Sequence, residues 1–230
     1  MKKQHLVAGI VSCAALLGLS APALPQNPSG GDSSQAVSGR RFTIIERNNS
    51  ATFKSAAPLE DFVGASSGLS GYIDFDPQSP RTGAGGSIAL QVVSLETGIP
   101  LRDEHLQSAD WLDAKNHPEI SFTITQLSEL AEVSVKDGAT TYSVTLGGDF
   151  TLAGVTQPLQ VTGTFIYLPA SSASAAFGPG NLLIARAEFS VSLKDFNVPT
   201  AKFRKLLGSK VSEQIAVSVS FVASDEPEQK

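Results

Sequence analysis

The chain has 230 residues, with 17 basic and 22 acidic side chains, three histidines and one cysteine. No basic cluster occurs along it, which argues against nucleic acid and anionic membrane surfaces as partners. With Cys13 as its lone cysteine the chain holds neither an internal disulfide framework nor a multi-thiolate zinc site.

Residues 1–23 read as a secretory leader. Lys2 and Lys3 form the basic start, residues 6–19 the apolar core, and Ala21-Pro22-Ala23 an A-x-A cleavage site. The apolar run is short for a bilayer span, and Pro22 and Pro25 follow it in place of a stop-transfer pattern. Ile10-Val11-Ser12-Cys13 is a poor lipobox, because the apolar segment runs on past the cysteine. Cleavage near Ala23 therefore predicts a mature protein of the periplasm or the secreted fraction. It would lack cysteine, and losing Lys2 and Lys3 takes the 17 basic residues to 15 against 22 acidic ones, a net charge of about −7. Residues 24–39, rich in Pro, Ser and Gly, read as a flexible linker. A single domain follows over 40–223, and 224–230 is a polar tail.

Within the domain, strand candidates fall at 42–47, 51–57, 69–75 and 87–95. Leu101, His105 and Ala109 then repeat at i, i+4 with Leu106 on their flank, which predicts a short amphipathic helix. Asp110 is placed to cap a further turn carrying Trp111 and Leu112. Pro118 forces an extended approach to Ile120, Phe122 and Ile124, which alternate as one strand face. Tyr142, Val144, Leu146, Phe150 and Leu152 share a face, and Leu159, Val161, Gly163, Phe165 and Tyr167 continue the alternation after a turn over 154–158. Residues 169–181 read as a loop. Two further alternating sets run from Leu183 through Phe189 to Leu193 and from Val211 to Phe221, with a helical turn expected at 201–207 between them. Period-2 patterning of this kind means antiparallel strands with one dry and one wet face, and it fits a sandwich or a barrel equally.

Reactive chemistry is sparse. Past the leader the histidines are His105 and His117, neither in a metal-ligand pair, and both read as packed or solvated structural groups. Gly64-Ala65-Ser66-Ser67-Gly68 lacks the strand–turn–helix context of a nucleophile elbow, and Gly83-Ala84-Gly85-Gly86 reads as a turn before a strand. Asp103, Asp110, Asp113 and Arg102 read as a polar clamp holding the helix to the sheet. These residues predict no enzyme, no metal and no cofactor.

Two blocks carry a family resemblance. Arg102-Asp103-Glu104-His105-Leu106-Gln107-Ser108-Ala109-Asp110-Trp111-Leu112-Asp113, followed by Pro118-Glu119-Ile120-Ser121-Phe122, matches R-D-x-H-L-x-S-x-D-[FW]-L-D and P-x-I-x-F. Gly148-Asp149-Phe150-Thr151-Leu152-Ala153-Gly154-Val155-Thr156-Gln157-Pro158 resembles G-x-L-T-[IL]-x-G-V-T-x-P. Both are similar to the signature of the YceI-like family of bacterial periplasmic polyisoprenoid-binding proteins. Lys194-Asp195-Phe196-Asn197-Val198 resembles its late R-x-D-F-G-[IL], with Lys for Arg and Asn for Gly. One departure lies at Glu46-Arg47-Asn48-Asn49-Ser50, where Asn49 stands in place of a histidine of the family's D-x-x-H-S opening.

The resemblance implies an all-β fold, an antiparallel up-and-down barrel of about eight strands, lipocalin-like, with one short helix near its mouth. It implies an exported, non-catalytic carrier or sequestering protein that binds a long-chain isoprenoid or similar lipid, with a homodimer left open. The alternative is an enzyme, or a non-lipid interaction or stress module, on the same barrel. On inward aromatics alone the bland reading is core. The resemblance instead makes Phe53, Phe75, Trp111, Phe122, Tyr142, Phe150, Phe165, Tyr167, Phe189 and Phe196 candidate ligand-lining residues.

Overall fold

The computed structural model describes residues 39–57, 60–198 and 211–227; the leader, nearly all of the linker, the turn expected at 201–207 and the last residues of the tail lie outside them. The chain forms β1 (Arg40–Ala56), β2 (Asp61–Ser66), β3 (Leu69–Phe75), β4 (Ala84–Gln91), α1 (Pro100–Gln107), β5 (Glu119–Lys136), β6 (Ala139–Leu152), β7 (Val155–Leu168), β8 (Leu182–Ser192) and β9 (Gln214–Ser224). From β3 to β9 each strand pairs antiparallel with its neighbour in sequence, and β9 returns to pair with β1 from Thr43↔Ser224 to Ser55↔Ile215. The sheet therefore closes.

β1 has two partners on its other edge. Its first residues, Arg40–Thr43, pair with β3, and its last, Ala51–Ala56, pair with β2. β2 and β3 thus act as one interrupted wall strand, so nine strand segments make an eight-strand barrel. The interruption coincides with a register slip in β1 between Ile44 and Asn49. Asn49 holds that bulge: its Nδ2 donates to the Ile45 and Glu46 carbonyls at 3.2 and 2.7 Å, and its Oδ1 accepts from the Leu69 N–H at 3.0 Å. The residue that departs from the family's histidine therefore has a local structural role.

Tight turns set the register elsewhere. Asp137-Gly138 and Ala153-Gly154 take positive φ at both positions (53° and 81°, 48° and 75°), the pairing that matches the twist of a two-residue hairpin. Where β3 meets β4, Gly71 (φ 119°) and Gly86 (φ 143°) let the two backbones approach closely. A Cβ on Gly71 would lie 2.0 Å from the Ser87 carbonyl oxygen, and one on Gly86 2.3 Å from that of Tyr72.

Strand direction sorts the connections to two ends. The turn before β2, the long β4–β5 connection with α1, the Ala153-Gly154 turn and the β8–β9 connection lie at one end, here called the mouth. The β3–β4, β5–β6 and β7–β8 connections lie at the other. That far end is filled with side chains: Phe42, Phe75, Leu183 and Ala223 are fully buried, and Phe75 packs edge-to-face on Tyr142 and Phe165 at centroid distances of 5.7 and 5.5 Å. Residues 169–181 fold over the wall here. Ser174 is buried and hydrogen-bonds Ser171, and Gly178 lies over Ile45 and Leu182.

The helix differs from its sequence reading. α1 is only two turns, and Leu101, His105 and Ala109, the expected apolar face, are all exposed. The inward side carries Arg102, Asp103 and Leu106, because polar anchors rather than apolar area fix its orientation. In urea unfolding, Gly71→Ala is expected to lose roughly 1–3 kcal/mol, as for overpacking against backbone, with an unchanged denaturant slope.

Candidate ligand-binding cavity

The barrel interior divides by side-chain size. Inward positions toward the far end carry Phe42, Phe75, Tyr142, Phe165 and Phe221, whereas the middle of the wall carries Ala51, Gly163 and Ala187, with Phe53, Phe122, Phe150 and Phe189 nearer the mouth. Small residues leave unfilled space that the aromatic end does not. The result is a cavity with about 210 Å3 open to the centres of water-sized atoms. One water needs only about 10–15 Å3 of such space, so this void exceeds a single-solvent hole by an order of magnitude.

The cavity wall is apolar. Strand alternation turns the side chains of Thr52, Ser121 and Arg186 outward, so these residues border the space mainly with backbone. The remaining lining side chains are almost entirely hydrocarbon, so the wall offers a ligand's head no cluster of polar groups. Burial raises the pKa of Tyr142, with nearby Glu132 adding to the shift, so its phenol stays neutral beneath the cavity.

Six of the ten expected residues border the cavity: Phe53, Trp111, Phe122, Phe150, Phe165 and Phe189. The other four do not border it. Phe75 and Tyr142 lie behind Phe165 in the aromatic end, and Tyr167 packs on Phe42 at 6.3 Å with its hydroxyl 3.3 Å from Asn181 Oδ1. Phe196 sits in a short 3-10 turn after β8 and packs edge-to-face on Phe150 at 5.5 Å. Period-2 alternation reports which face a residue occupies and is silent on its height along the barrel. Phe62 and Phe221 border the cavity and were not among the candidates. Phe221 was visible on an alternating face; Phe62 was not, since β2 is short and broken by Gly64.

The mouth is built from the first motif. Leu106, Trp111 and Leu112 reach the cavity from the β4–β5 connection, and Leu95 joins them. Arg102 ties α1 to the barrel: its Nη2 lies 2.5 Å from Glu60 Oε1, and its guanidinium stacks 4.7 Å from the centre of the Phe62 ring. Phe62 in turn packs edge-to-face on Phe53 at 6.3 Å. Asp103 Oδ1 accepts from the Thr97 N–H at 2.8 Å and its hydroxyl at 2.5 Å, closing the loop that precedes α1. Asp113 takes φ 50° and its carboxylate accepts from Asn116 Nδ2 at 2.8 Å.

The cap expected of Asp110 is absent. Its side chain is exposed, and Ser108 does the work instead, its carbonyl accepting from the N–H groups of Trp111 and Asp113 at 3.0 and 2.9 Å. His105 is exposed, and His117 packs over the Ala153-Gly154 turn, where a Cβ on Gly154 would lie 2.3 Å from its Cε1. No group of three His, Cys, Asp or Glu among the described residues is arranged to hold a metal ion.

This fold and cavity define a lipocalin-like barrel with an apolar interior. The model of the YceI-like domain matches residues 39–223, and the chain belongs to that family. It is 31% identical over 140 residues to a UPF0312 protein of Pectobacterium carotovorum, covering 60% of this chain and 63% of that one. It is likewise 31% identical over 130 residues to Protein YceI of Escherichia coli O157:H7, covering 56% and 60%. The alignments thus span about three fifths of these relatives' length. Among solved structures, BcnA of Burkholderia cenocepacia superposes with a TM-score of 0.58 at 18% identity, over 79% of this chain and 99% of that one. A polyisoprenoid binding domain from Saccharophagus degradans superposes with a TM-score of 0.57 at 12% identity, over 81% and 98%. Likeness at these identities shows the shared fold.

The clamp separates three acidic and basic residues by consequence. Asp103→Ala is expected to cost about 1–2 kcal/mol in urea unfolding, through two lost hydrogen bonds to a charged acceptor. Arg102→Ala is expected to cost about 1 kcal/mol, since the ion pair is partly solvated and the stack on Phe62 adds a comparable share. Asp110→Ala should stay within about 0.5 kcal/mol of the parent.

Proposed function

We propose that this protein is an exported, non-catalytic carrier or sequestering protein that holds a long-chain isoprenoid or similar amphiphilic lipid in its barrel. The observation that carries the reading is a cavity walled by apolar side chains and closed at one end by packed aromatics. Membership of the YceI-like family supports it, as does the Saccharophagus domain described as polyisoprenoid binding. The leader-like residues 1–23 support the export part of the reading.

The energetics suit an apolar tail. Burial returns about 0.8 kcal/mol per methylene, so each five-carbon isoprene unit contributes roughly 3–4 kcal/mol when fully enclosed. A few units offset the roughly 4–15 kcal/mol that association costs, with no charged contact required. A sugar or a small charged metabolite gains nothing comparable from such a wall and loses its hydration.

Solvent extraction of the protein purified from its exported fraction should release an apolar molecule detectable by mass spectrometry. Delipidated protein titrated with a prenylated quinone should show saturable, near-stoichiometric quenching of Trp111, the sole tryptophan. His105→Ala should bind equally well. Ala187→Phe, which fills the cavity from its wall, should weaken binding at least tenfold while the fold persists by circular dichroism. Turnover of an added lipid, lost on replacing His105, would replace the carrier reading with an enzyme.

A further inference from the structure

The cavity has a measurable depth and bore, and these restrict its occupant further than its polarity does. On β6 its wall runs from Val144 to Leu152, and on β8 from Ala185 to Val191, with Leu193 just past the strand's end. At about 3.3 Å per residue and a tilt of about 40°, the β6 stretch spans roughly 20 Å along the barrel axis. Spread over that depth, the 210 Å3 leaves a mean free section of about 10 Å2 for the centre of a water-sized atom. Adding that atom's radius of about 1.4 Å gives a bore of roughly 6 Å. Averaged over the depth, such a bore matches the width of one hydrocarbon chain and falls short of two side by side.

The lower limit is a rung of the barrel. Tyr142, Phe165, Ala185 and Phe221 are register partners across β6, β7, β8 and β9. Phe165 and Phe221 present to the cavity, and Phe75, fully buried, backs Phe165 at 5.5 Å. Below them the far end holds Phe42, Phe75, Leu183 and Ala223, all fully buried. At the other limit, Arg102 of α1 and Glu60 are paired with each other.

We infer that Phe165 and Phe221 form the floor of a single-file tail gauge. The site takes one extended tail of about four isoprene units, or an acyl chain of the same length, inserted tail first with its head left at the α1 end. A lipid with two tails, or a longer prenyl chain folded back on itself, does not fit. This inference rests on the carrier reading proposed above and adds chain number, chain length and the residues that set them.

Delipidated full-length mature protein would be titrated, with Trp111 fluorescence and native mass spectrometry as readouts, against all-trans prenols of two, three, four and eight units and against monomeric phosphatidylcholine. Affinity should rise at least tenfold per unit up to four and change less than threefold from four to eight. Phosphatidylcholine should bind at least 100-fold more weakly than the four-unit prenol. Phe165→Ala, which opens the floor, should raise affinity for the eight-unit prenol at least tenfold while leaving the four-unit prenol within threefold. Phe221→Leu serves the same purpose where Phe165→Ala fails to fold, and the wild-type series decides without either variant. Continued gain beyond four units in the wild type, or phosphatidylcholine binding as well as the prenols, overturns the gauge and leaves lipid carriage standing. Absence of saturable binding by every prenol overturns both.

Discussion

Pairing between the first and last strands is the interaction on which the rest depends. β1 and β9 lie at opposite ends of the domain's sequence, and their hydrogen bonds convert an open meander into a wall without edges along Thr43–Ser55. An open sheet exposes one face and a row of unpaired backbone groups at each edge. A closed one encloses its apolar face, and only then does unfilled space inside remain dry enough to favour an apolar guest. The bulge at Ile44–Asn49 belongs to the same closure. One long strand hands over there from β3 to β2 on one edge, while its pairing to β9 on the other lapses after Ile44 and resumes at Asn49, which supplies hydrogen bonds that the slipped backbone lacks.

Given closure, side-chain volume decides what the interior does. Eight strands make a barrel that ordinary side chains can fill, and the far end is filled. Above it, Ala51, Gly163 and Ala187 occupy inward positions where larger residues would complete the packing. Interiors normally pack as densely as organic crystals, so a void of this size is destabilising unless something occupies it. The chain therefore combines a rigid, fully packed base with a wall whose missing volume is a function of composition at a few positions. The mouth is of a third kind. It is assembled from a long connection anchored by Arg102–Glu60 and Asp103–Thr97, polar contacts that orient α1 without burying an apolar helix face.

Much of the barrel was legible as alternation, and its failures are local. Along β6 the period of 2 holds from Tyr142 to Leu152 and gives the inward face directly. Along β5 it fails after Ile124, because register slips beside Thr125 and Ser128 bring Ile124, Leu127 and Leu130 opposite inward residues of β6 at a spacing of three. That spacing imitates a helix and conceals the second half of an 18-residue strand. The helix failed in the opposite sense. Leu101, His105 and Ala109 satisfied the i, i+4 rule, yet over two turns a pair of polar anchors outweighs that small apolar stripe and turns it to solvent.

Sequence by itself determined the strand class, the inward faces of β6 to β9, the family and the apolar character of the interior, because these follow from the local order of apolar and polar residues. Tertiary structure alone decided closure through β1 and β9, the merging of β2 and β3 into one wall strand, and the height of each inward aromatic. Phe165 and Tyr167 are equally inward by pattern, but the register places Phe165 on the rung of Phe221 at the cavity floor and Tyr167 one rung lower, beside Leu183. Periodicity is a property of neighbouring residues along a chain. Depth within a barrel is set by which residues of distant strands stand on the same rung.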